Sequence, residues 1–359
     1  MKKLLSAFLL ISLLAAPLSL SGCGALKKFS ATDMTLFDTE TVITGWDTDK
    51  ESFDKKAEAI TEELARLHRL YDIYDSYDGI NNLKTVNDNA GESAVKVDGD
   101  IISLLEFCRI AYETTNGAVN IAMGSVLRLW HDCRIAAQND PANAALPDEN
   151  ALRAAAEHTD ISSLEIDAAD GTVYISDPLA SIDVGAVAKG YATELCAQLI
   201  EEKGWEHIAL SVGGNVRTVG LKVDGSMWIT GIENPGIEAG SSVAADGISF
   251  DGAYFCRLSM GGKEALVTSG SYQRYFEVDG VRYHHIIDPE TLRPENRYVS
   301  VSILCDNSGL ADALSTALFN MSEADGREIL SRFLADAVWV YPDGRVAYTK
   351  GIAKRLQKD

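Results

Sequence analysis

The sequence predicts an α+β fold with mixed, mostly antiparallel sheets, helices packed on them, and two lobes around a central cleft. Three Asp-Gly steps, at residues 170–171, 279–280 and 343–344, lie between short apolar runs and predict tight hairpins. Segments with apolar residues three and four positions apart stand between these strands and predict helices. Hairpins favour antiparallel pairing, because parallel strands need long crossover connections.

In the first half of the chain, alternating residues predict a strand and helical spacing predicts long helices. We interpret the apolar stripe of the first helix, which includes Tyr71 and Tyr74, as core packing. The predicted segments are a strand over Thr35–Trp46, a helix over Asp54–Tyr74, a loop over Tyr77–Gly91, a helix over Asp98–Thr114, a turn and apolar segment over Asn116–Trp130, a surface excursion over Ala136–Pro147, a helix over Glu149–His158, and hairpin strands over Leu164–Ile166 and Thr172–Ile175.

In the second half, short strands dominate until two helices near the end. Gly236–Gly252 is rich in Gly, Ser and Ala and is interpreted as an insertion, either a lid or plain surface. The predicted helices are Tyr191–Glu202, Gly309–Asn320 and Asp325–Phe333, and the predicted strands are His207–Val212, Val216–Val219, Ser226–Ile232, Tyr254–Ser259, Ala265–Ser269, Tyr275–Val278, Arg282–Ile287, Val299–Leu304, Ala337–Tyr341 and Val346–Thr349.

The net charge argues against one class of partner, and the cysteine spacing against two kinds of site. The formal net charge is −21 over 359 residues, which argues against nucleic acid, because phosphate backbones are bound by basic surfaces. An anionic ligand would need a metal ion or locally grouped lysines and arginines. Five cysteines beyond the N-terminal region have wide, irregular spacings without a CxxC pair, so neither a zinc site nor a redox pair is indicated.

The N-terminus has the features of a secretory signal. Lys2 and Lys3 precede an apolar run over Leu4–Leu20, and small residues then lead to Cys23. This order resembles a bacterial lipobox, so we expect a signal peptide over residues 1–22, a lipidated (palmitate-bearing) Cys23 with a tether over residues 23–34, and one domain over residues 35–355. The protein would then be anchored to the cell membrane on its outer side; the alternative is a plain secretory signal.

The segment Ser181–Glu194, SIDVGAVAKGYATE, joins a short strand to a helix. Its glycine turn and helix N-terminus would present N–H groups and a positive dipole to an anion. Lys189 adds a positive charge at that point, and Asp183 ends the strand. Taken alone, the segment is also compatible with an ordinary strand–helix junction.

A second informative segment is LADALSTALF, Leu310–Phe319. On a helix, Asp312, Ser315 and Thr316 project from one face and offer only oxygen atoms. Oxygen suits a hard cation such as Mg²⁺, and one carboxylate makes a partial shell that phosphate and water complete. The alternative is an ordinary helix turn with a packing hydroxyl.

A third segment, YHHIIDP over Tyr283–Pro289, places His284 and His285 on opposite faces of a strand. Either imidazole could act as a general base, or both could be structural. The chain contains no Gly-x-Ser-x-Gly, HExxH or Walker lysine motif, so a serine hydrolase or zinc peptidase is not supported.

Four stretches together resemble the FAD:protein FMN transferases, the ApbE-type flavin transferases. They are DVGAVAKGYA at Asp183–Ala192, SVGGNVRTVG at Ser211–Gly220, TSGSYQRYFEVDGVRYHHIIDP at Thr268–Pro289 and ADALSTALF at Ala311–Phe319. The resemblance implies Mg²⁺-dependent (or Mn²⁺-dependent) transfer of the FMN part of FAD to a threonine hydroxyl of an acceptor redox protein, with release of AMP.

The resemblance also assigns roles to individual residues. FAD contacts fall on Phe37, Ala118, Val119, Asn120, Asp183, Lys189 and Ile286. The metal site falls on the carbonyl of Ala186 and on Asp312, Ser315 and Thr316. His285 matches the histidine that helps to activate the acceptor, and Asp312 acts with it through the metal. The family often has Asp where Asn120 stands, and Met-Gly-Thr where this chain has Phe-Asp-Thr at residues 37–39.

Two other functions remain open at this point. Water could replace the threonine, which would make the protein an FAD pyrophosphatase that yields FMN and AMP. A lipoprotein that binds flavin without catalysis is the other, although simple carriage does not need a metal site.

Overall fold

The computed structural model describes residues 25–238 and 247–357. The predicted signal peptide and Cys23 lie outside the described residues. Within them, the helices are α1 Lys50–Tyr71, α2 Leu83–Asp88, α3 Gly99–Thr114, α4 Gly124–Asn139, α5 Glu149–Ala156, α6 Ala188–Glu202, α7 Ser308–Phe319, α8 Glu323–Leu330 and α9 Lys350–Ala353. A search of the same residues finds no helix with the length and hydropathy needed to span a bilayer.

The strands of the described residues form one large sheet and three small ones. They are β1 Lys27–Asp33, β2 Thr41–Asp47, β3 Val95–Lys96, β4 Leu164–Asp167, β5 Thr172–Ile175, β6 Ile208–Val212, β7 Asn215–Val219, β8 Trp228–Glu233, β9 Tyr254–Met260, β10 Ala265–Gly270, β11 Tyr275–Val278, β12 Val281–His284, β13 Ser300–Cys305, β14 Asp336–Val340 and β15 Val346–Tyr348. The large sheet has the order β1-β2-β6-β7-β10-β13-β14-β15, and its neighbours pair antiparallel. The α+β prediction is therefore confirmed.

The large sheet has a core on each face. In β14, Ala337 and Trp339 pack into the cluster that contains α1, α6 and α7, whereas Val338 and Val340 pack into a second cluster with β8 and β9. This period of two is what a strand buried on both faces requires. The sheet thus holds α6 and α7, which carry the predicted site, against one face.

The N-terminal strand prediction needs correction. Instead of one strand over residues 35–46, the chain forms β1, a 3-10 turn at Leu36–Asp38 and then β2. β1 occupies most of the segment assigned to the tether, and its one partner among the described strands is β2. No residue of β1 is fully buried, because it is an edge strand, and its alternation of exposed and half-buried residues gives only a weak hydrophobic signal in the sequence.

A helix that the sequence analysis missed is α4. It spans the end of the predicted turn-and-apolar segment and the start of the predicted surface excursion. Val126 and Trp130 on α4 pack against Phe276 and Ile287, far along the chain. Because α4 is stabilised by these long-range contacts, the local sequence pattern did not predict the helix.

Smaller predictions have mixed outcomes. The three Asp-Gly hairpins are confirmed as β4–β5, β11–β12 and β14–β15. The predicted loop over residues 77–91 contains the short helix α2. Ile248 and Phe250, in the predicted insertion, are buried beside β9. The five cysteines are free, and all except Cys133 are buried.

Candidate active site

A cavity of about 1440 Å³ opens beside the N-terminal end of α6 and the middle of α7. Its volume is larger than the range of roughly 300–1,000 Å³ that is usual for small-ligand pockets. The predicted site residues that line it are Phe37, Ala118, Val119, Asn120, Asp183, Ala186, Lys189, His285, Ile286, Asp312 and Thr316. Of the residues predicted for the flavin and metal sites, Ser315 alone does not line the cavity. The fold therefore joins segments that are far apart in sequence.

Asp312 on α7 is fixed by two donors from other elements. Its Oδ2 accepts hydrogen bonds from the Gly190 N–H at 2.7 Å and from Asn215 Nδ2 at 3.0 Å. The residue is 5 % exposed, and burial raises the pKa of its carboxyl, an effect that the charge of Lys189 opposes. Its other oxygen, Oδ1, accepts no hydrogen bond from the described residues and is left for a ligand.

The carbonyl oxygen of Ala186, just before α6, also lacks a hydrogen-bond donor among the described residues. In a regular helix, the N–H of Gly190 would donate to the oxygen four residues earlier, but it donates to Asp312 instead. No described residue donates a hydrogen bond to Ala186 O. The carbonyl that the family resemblance assigns to a metal is therefore available.

The hydroxyls of α7 differ in their positions. Thr316 lines the cavity, and its Oγ1 lies 3.4 Å from Ser269 Oγ. Ser315 is fully buried; its Oγ donates to Asp312 O at 2.9 Å and lies 2.7 Å from Ser269 Oγ. Ser315 thus contacts the cavity only through Ser269, a residue that the sequence analysis did not single out.

These donors fit a hard divalent cation. The free atoms at this point are one carboxylate oxygen, one carbonyl and one hydroxyl, all oxygen. The described residues contain no group of three or more His, Cys, Asp or Glu side chains that could hold a metal ion alone. Such a partial shell fits Mg²⁺, which usually keeps waters and binds ligand phosphates.

Positive side chains line the cavity of this acidic protein, as the charge argument predicted. Lys189, in the first turn of α6, has no ion pair or hydrogen bond to a described residue through its Nζ. Arg134 and Arg274 also line the cavity. Asp183 accepts the Gly185 N–H at 2.8 Å, and burial raises the pKa of its carboxyl. An unpaired lysine at a helix N-terminus indicates an anion site.

The two neighbouring histidines have different roles. His284 is buried; its Nε2 donates to Glu295 O at 2.8 Å, and its Nδ1 accepts the Ile286 N–H at 3.2 Å. His285 lines the cavity, and its Nδ1 lies 3.2 Å from Arg274 O. Because a carbonyl only accepts, Nδ1 carries the proton and the neutral ring has Nε2 free as a base. Desolvation and the charges of Lys189 and Arg274 lower the pKa of His285.

The two departures from the family pattern lie in different local environments. Phe37 and Asp38 both have left-handed backbone angles, with φ of 53° and 52°; a bulky residue rarely adopts this conformation away from functional sites. Asn120 donates through Nδ2 to Thr159 O at 2.9 Å and accepts the Ala122 N–H at 2.9 Å. An ionised aspartate could not make the first of these bonds.

An aromatic and cationic cluster, not predicted from the sequence, lies on one wall of the cavity. Tyr74 lies beyond the end of α1 and is 55 % exposed, so its assignment to the core was wrong. Its ring stacks on His131 at 5.0 Å, and the His131 Nδ1 lies 3.1 Å from an Arg134 nitrogen. Arg274, which lines the same cavity, stands inside the motif at Thr268–Pro289 but was given no role in the sequence-based predictions.

The chain is similar in sequence to known proteins over most of its length. The model of the ApbE family matches residues 37–339, most of the chain. The chain belongs to the ApbE family. Among curated relatives, the FAD:protein FMN transferase of Treponema pallidum is 33% identical over 293 residues, covering 77% of this chain and 75% of the relative. That of Escherichia coli K12 is 27% identical over 334 residues, covering 91% and 90%.

Solved structures of ApbE proteins have the same fold. The ApbE protein of Thermotoga maritima superposes with a TM-score of 0.77 at 27% identity, covering 92% of this chain and 100% of that chain. The flavin transferase ApbE of Vibrio cholerae gives a TM-score of 0.74 at 23% identity, with the same coverage.

Proposed function

We propose that this chain is an FAD:protein FMN transferase, which moves the FMN part of FAD to a threonine of an acceptor redox protein. The observation that carries the proposal is the pairing, in one cavity, of unpaired Lys189 with the free oxygens of Ala186 and Asp312. That arrangement suits a ligand that combines phosphate with a bound cation. The curated relatives are named for the same activity.

Ala186, just before α6, and two residues of α7 would hold the metal ion. Its protein ligands would be Ala186 O, Asp312 Oδ1 and Thr316 Oγ1. Ser315 would support them indirectly, through its contact with Ser269, which lies beside Thr316. The chemistry that a bound Mg²⁺ would supply at this position is neutralisation of phosphate charge. The Lys189 ammonium would bind phosphate oxygens that the metal ion does not contact. Phe37, Ala118, Val119, Asn120, Asp183 and Ile286 line the space for the rest of FAD.

The transfer itself needs one proton acceptor. The threonine oxygen bonds to the phosphorus of the FMN phosphate, and the bond from that phosphorus to the oxygen bridging to AMP breaks, so AMP leaves. His285 Nε2 takes the threonine proton, and the Arg274 carbonyl holds the ring in the required tautomer. The lowered pKa keeps this imidazole neutral, and hence able to accept a proton, at neutral pH.

We also propose that Cys23 carries a lipid that anchors the protein to the outer face of the cell membrane. The signal-like residues 1–22 support this, and β1 begins at Lys27. Residues 24–26 would then span on the order of 10 Å at most. Such a short connection holds the cavity near a membrane-bound acceptor and raises their effective concentration. Metabolic labelling with palmitate, lost in Cys23→Ser, tests the anchor.

The decisive experiment for the activity uses purified protein, FAD, Mg²⁺ and a candidate acceptor domain. Mass spectrometry should find FMN on one acceptor threonine, with AMP released in equal amount. AMP released at the same rate without an acceptor would instead support the pyrophosphatase. FAD binding with neither product would support a carrier.

A further inference from the structure

The ribbon formed by β8 and β9 has one covered edge and one free edge. On the outer side of β9, Ser249 N donates to Phe255 O, Ser259 N donates to Arg355 O, and Gln357 N donates to Arg257 O. On the outer side of β8, no described residue bonds to the backbone of residues 229–232. β8 is therefore the edge at which another strand could be added.

The register identifies which backbone groups are free. The backbone N–H and C=O of Arg257 and Ser259 point away from β8, as their bonds to residues 355 and 357 show. In an antiparallel ladder, the residues paired with them on β8 must then direct their own N–H and C=O away from β9. Those partners are Gly231 and Ile229, respectively. Both residues thus present an N–H and a C=O at the free edge, while Thr230 between them bonds to β9.

This edge belongs to the wall of the candidate active-site cavity. Residues 229–233 line the same space as Lys189, His285 and Asp312. Ile229 is 52% exposed and Tyr254 is 53% exposed. The Tyr254 ring covers Gly231, where an added Cβ would lie 2.4 Å from it. A strand edge with apolar neighbours therefore continues directly from the reaction site.

We propose that the free edge of β8 binds the threonine-bearing segment of the acceptor protein as an added β-strand. The proposal rests on the transferase function proposed above. Backbone hydrogen bonds from Ile229 and Gly231 would hold an extended segment of almost any sequence, and the apolar side chains would contact alternate residues of it. Strand addition would fix the register in which the threonine hydroxyl reaches the phosphate.

Charge favours a peptide over FAD at this wall. Residues 229–233 carry no positive side chain, and Glu233 is acidic. The cations that would bind pyrophosphate, Lys189, Arg134 and Arg274, belong to other elements of the cavity. The residues that the family resemblance assigns to FAD also lie outside β8. An uncharged, hydrogen-bonding extended chain fits this surface better than a dinucleotide.

The test combines a proline variant with modified acceptor peptides. Ile229→Pro removes one outward N–H without breaking a β8–β9 bond, because proline is tolerated on an edge strand at such a position. Ile229→Ala is the matched control, since it shortens the side chain and keeps the N–H. The probe is a short synthetic peptide spanning the threonine of the acceptor domain, together with copies N-methylated at one backbone nitrogen each.

We expect Ile229→Pro to lower kcat/KM for the peptide about tenfold, the loss typical of one or two hydrogen bonds, and Ile229→Ala to lower it less. Peptide N-methylation should impair transfer at alternate residues only, a result that does not depend on the folding of any variant. Equal transfer to all methylated peptides would overturn the proposal. So would a matching loss of FAD affinity, or a change of oligomeric state, in Ile229→Pro. No FMN adduct on the unmodified peptide and the intact domain would instead contradict the transferase function itself.

Discussion

The N–H of Gly190 donates a hydrogen bond of 2.7 Å to Asp312 Oδ2, and this bond joins the two helices that carry the candidate metal site. It has three consequences at once. It holds one carboxylate oxygen and leaves the other free, and it leaves the carbonyl of Ala186 without its helical donor. Gly190 has no side chain because a Cβ there would lie 2.4 Å from both Asp312 Cβ and Ser308 O. The close helix contact and the oxygen ligands thus have one origin.

Asp312→Asn should abolish most activity and preserve the fold. The Asn carbonyl oxygen can still accept from Gly190 and Asn215, but the free position becomes an uncharged amide. We expect transfer to fall by about 10²–10³-fold, as when one stabilising group is removed from a site of developing charge. Single-turnover AMP release measures this, and Asp306→Asn, at an exposed aspartate before α7, is the control. Full activity in Asp312→Asn would contradict its role.

Lys189→Met should weaken FAD binding. The Lys189 ammonium has no partner among the described residues, so its removal leaves no protein group unpaired and takes away one charged phosphate contact. A charge-assisted hydrogen bond contributes about 1.5–3 kcal/mol, so the Kd for FAD should rise about 10–100-fold. Quenching of flavin fluorescence measures Kd. Lys203→Met, at the other end of α6, is the matched control and should bind FAD normally.

The sequence was most informative where local spacing and function coincide. Asp312 and Thr316 lie one helical turn apart, and Lys189 follows a glycine turn, so both segments could be recognised before the structure was known. β8 could be placed as a strand, but its free edge depends on residues 249 and 355–357, which cover β9. The position of Tyr74 fits the apolar spacing of α1, which predicted that it lies in the core. Because α1 ends at Tyr71, Tyr74 lies beyond the helix and lines the cavity instead.

The stability of the protein should fall as the pH is lowered from about 6.5 towards 4. Burial lowers the pKa of His284 to about 4, although the hydrogen bond to Glu295 O opposes this shift. Between these values the unfolded chain binds a proton at His284 and the folded chain does not, so stability present above pH 6.5 is lost as pH falls. The loss should reach up to about 3 kcal/mol.

Urea unfolding at several pH values measures this effect. The slope of unfolding free energy against pH should be shallower in His284→Gln, which cannot titrate, than in the unaltered protein. An NMR titration that found the imidazole of His284 protonating near pH 6.5 would contradict the assignment. His285 offers no equivalent test of stability, because its ring is open to the cavity.

Arg217→Met should be among the most destabilising single changes in the protein. Arg217 on β7 forms two hydrogen bonds, of 3.0 and 3.1 Å, with the carboxylate of Glu194 on α6, and both side chains are almost fully buried. Glu194 Oε2 also accepts the Ser308 N–H at 2.7 Å, at the first turn of α7. This ion pair therefore sets the position of α7 against α6.

Removing only the arginine leaves a buried carboxylate without its counter-charge, which costs about 3–5 kcal/mol. The double variant Glu194→Gln with Arg217→Met should recover part of this loss, because the amide is uncharged and can still accept from Ser308. Urea unfolding measures all three variants, and Arg332→Met, which removes an exposed partner of Glu328, should change stability by less than about 0.5 kcal/mol. If the double variant were no more stable than Arg217→Met alone, the buried charge would not be the cause. Because Asp312 lies one turn along α7 from Ser308, Arg217→Met should also weaken metal binding, which isothermal titration with Mg²⁺ and FAD would detect.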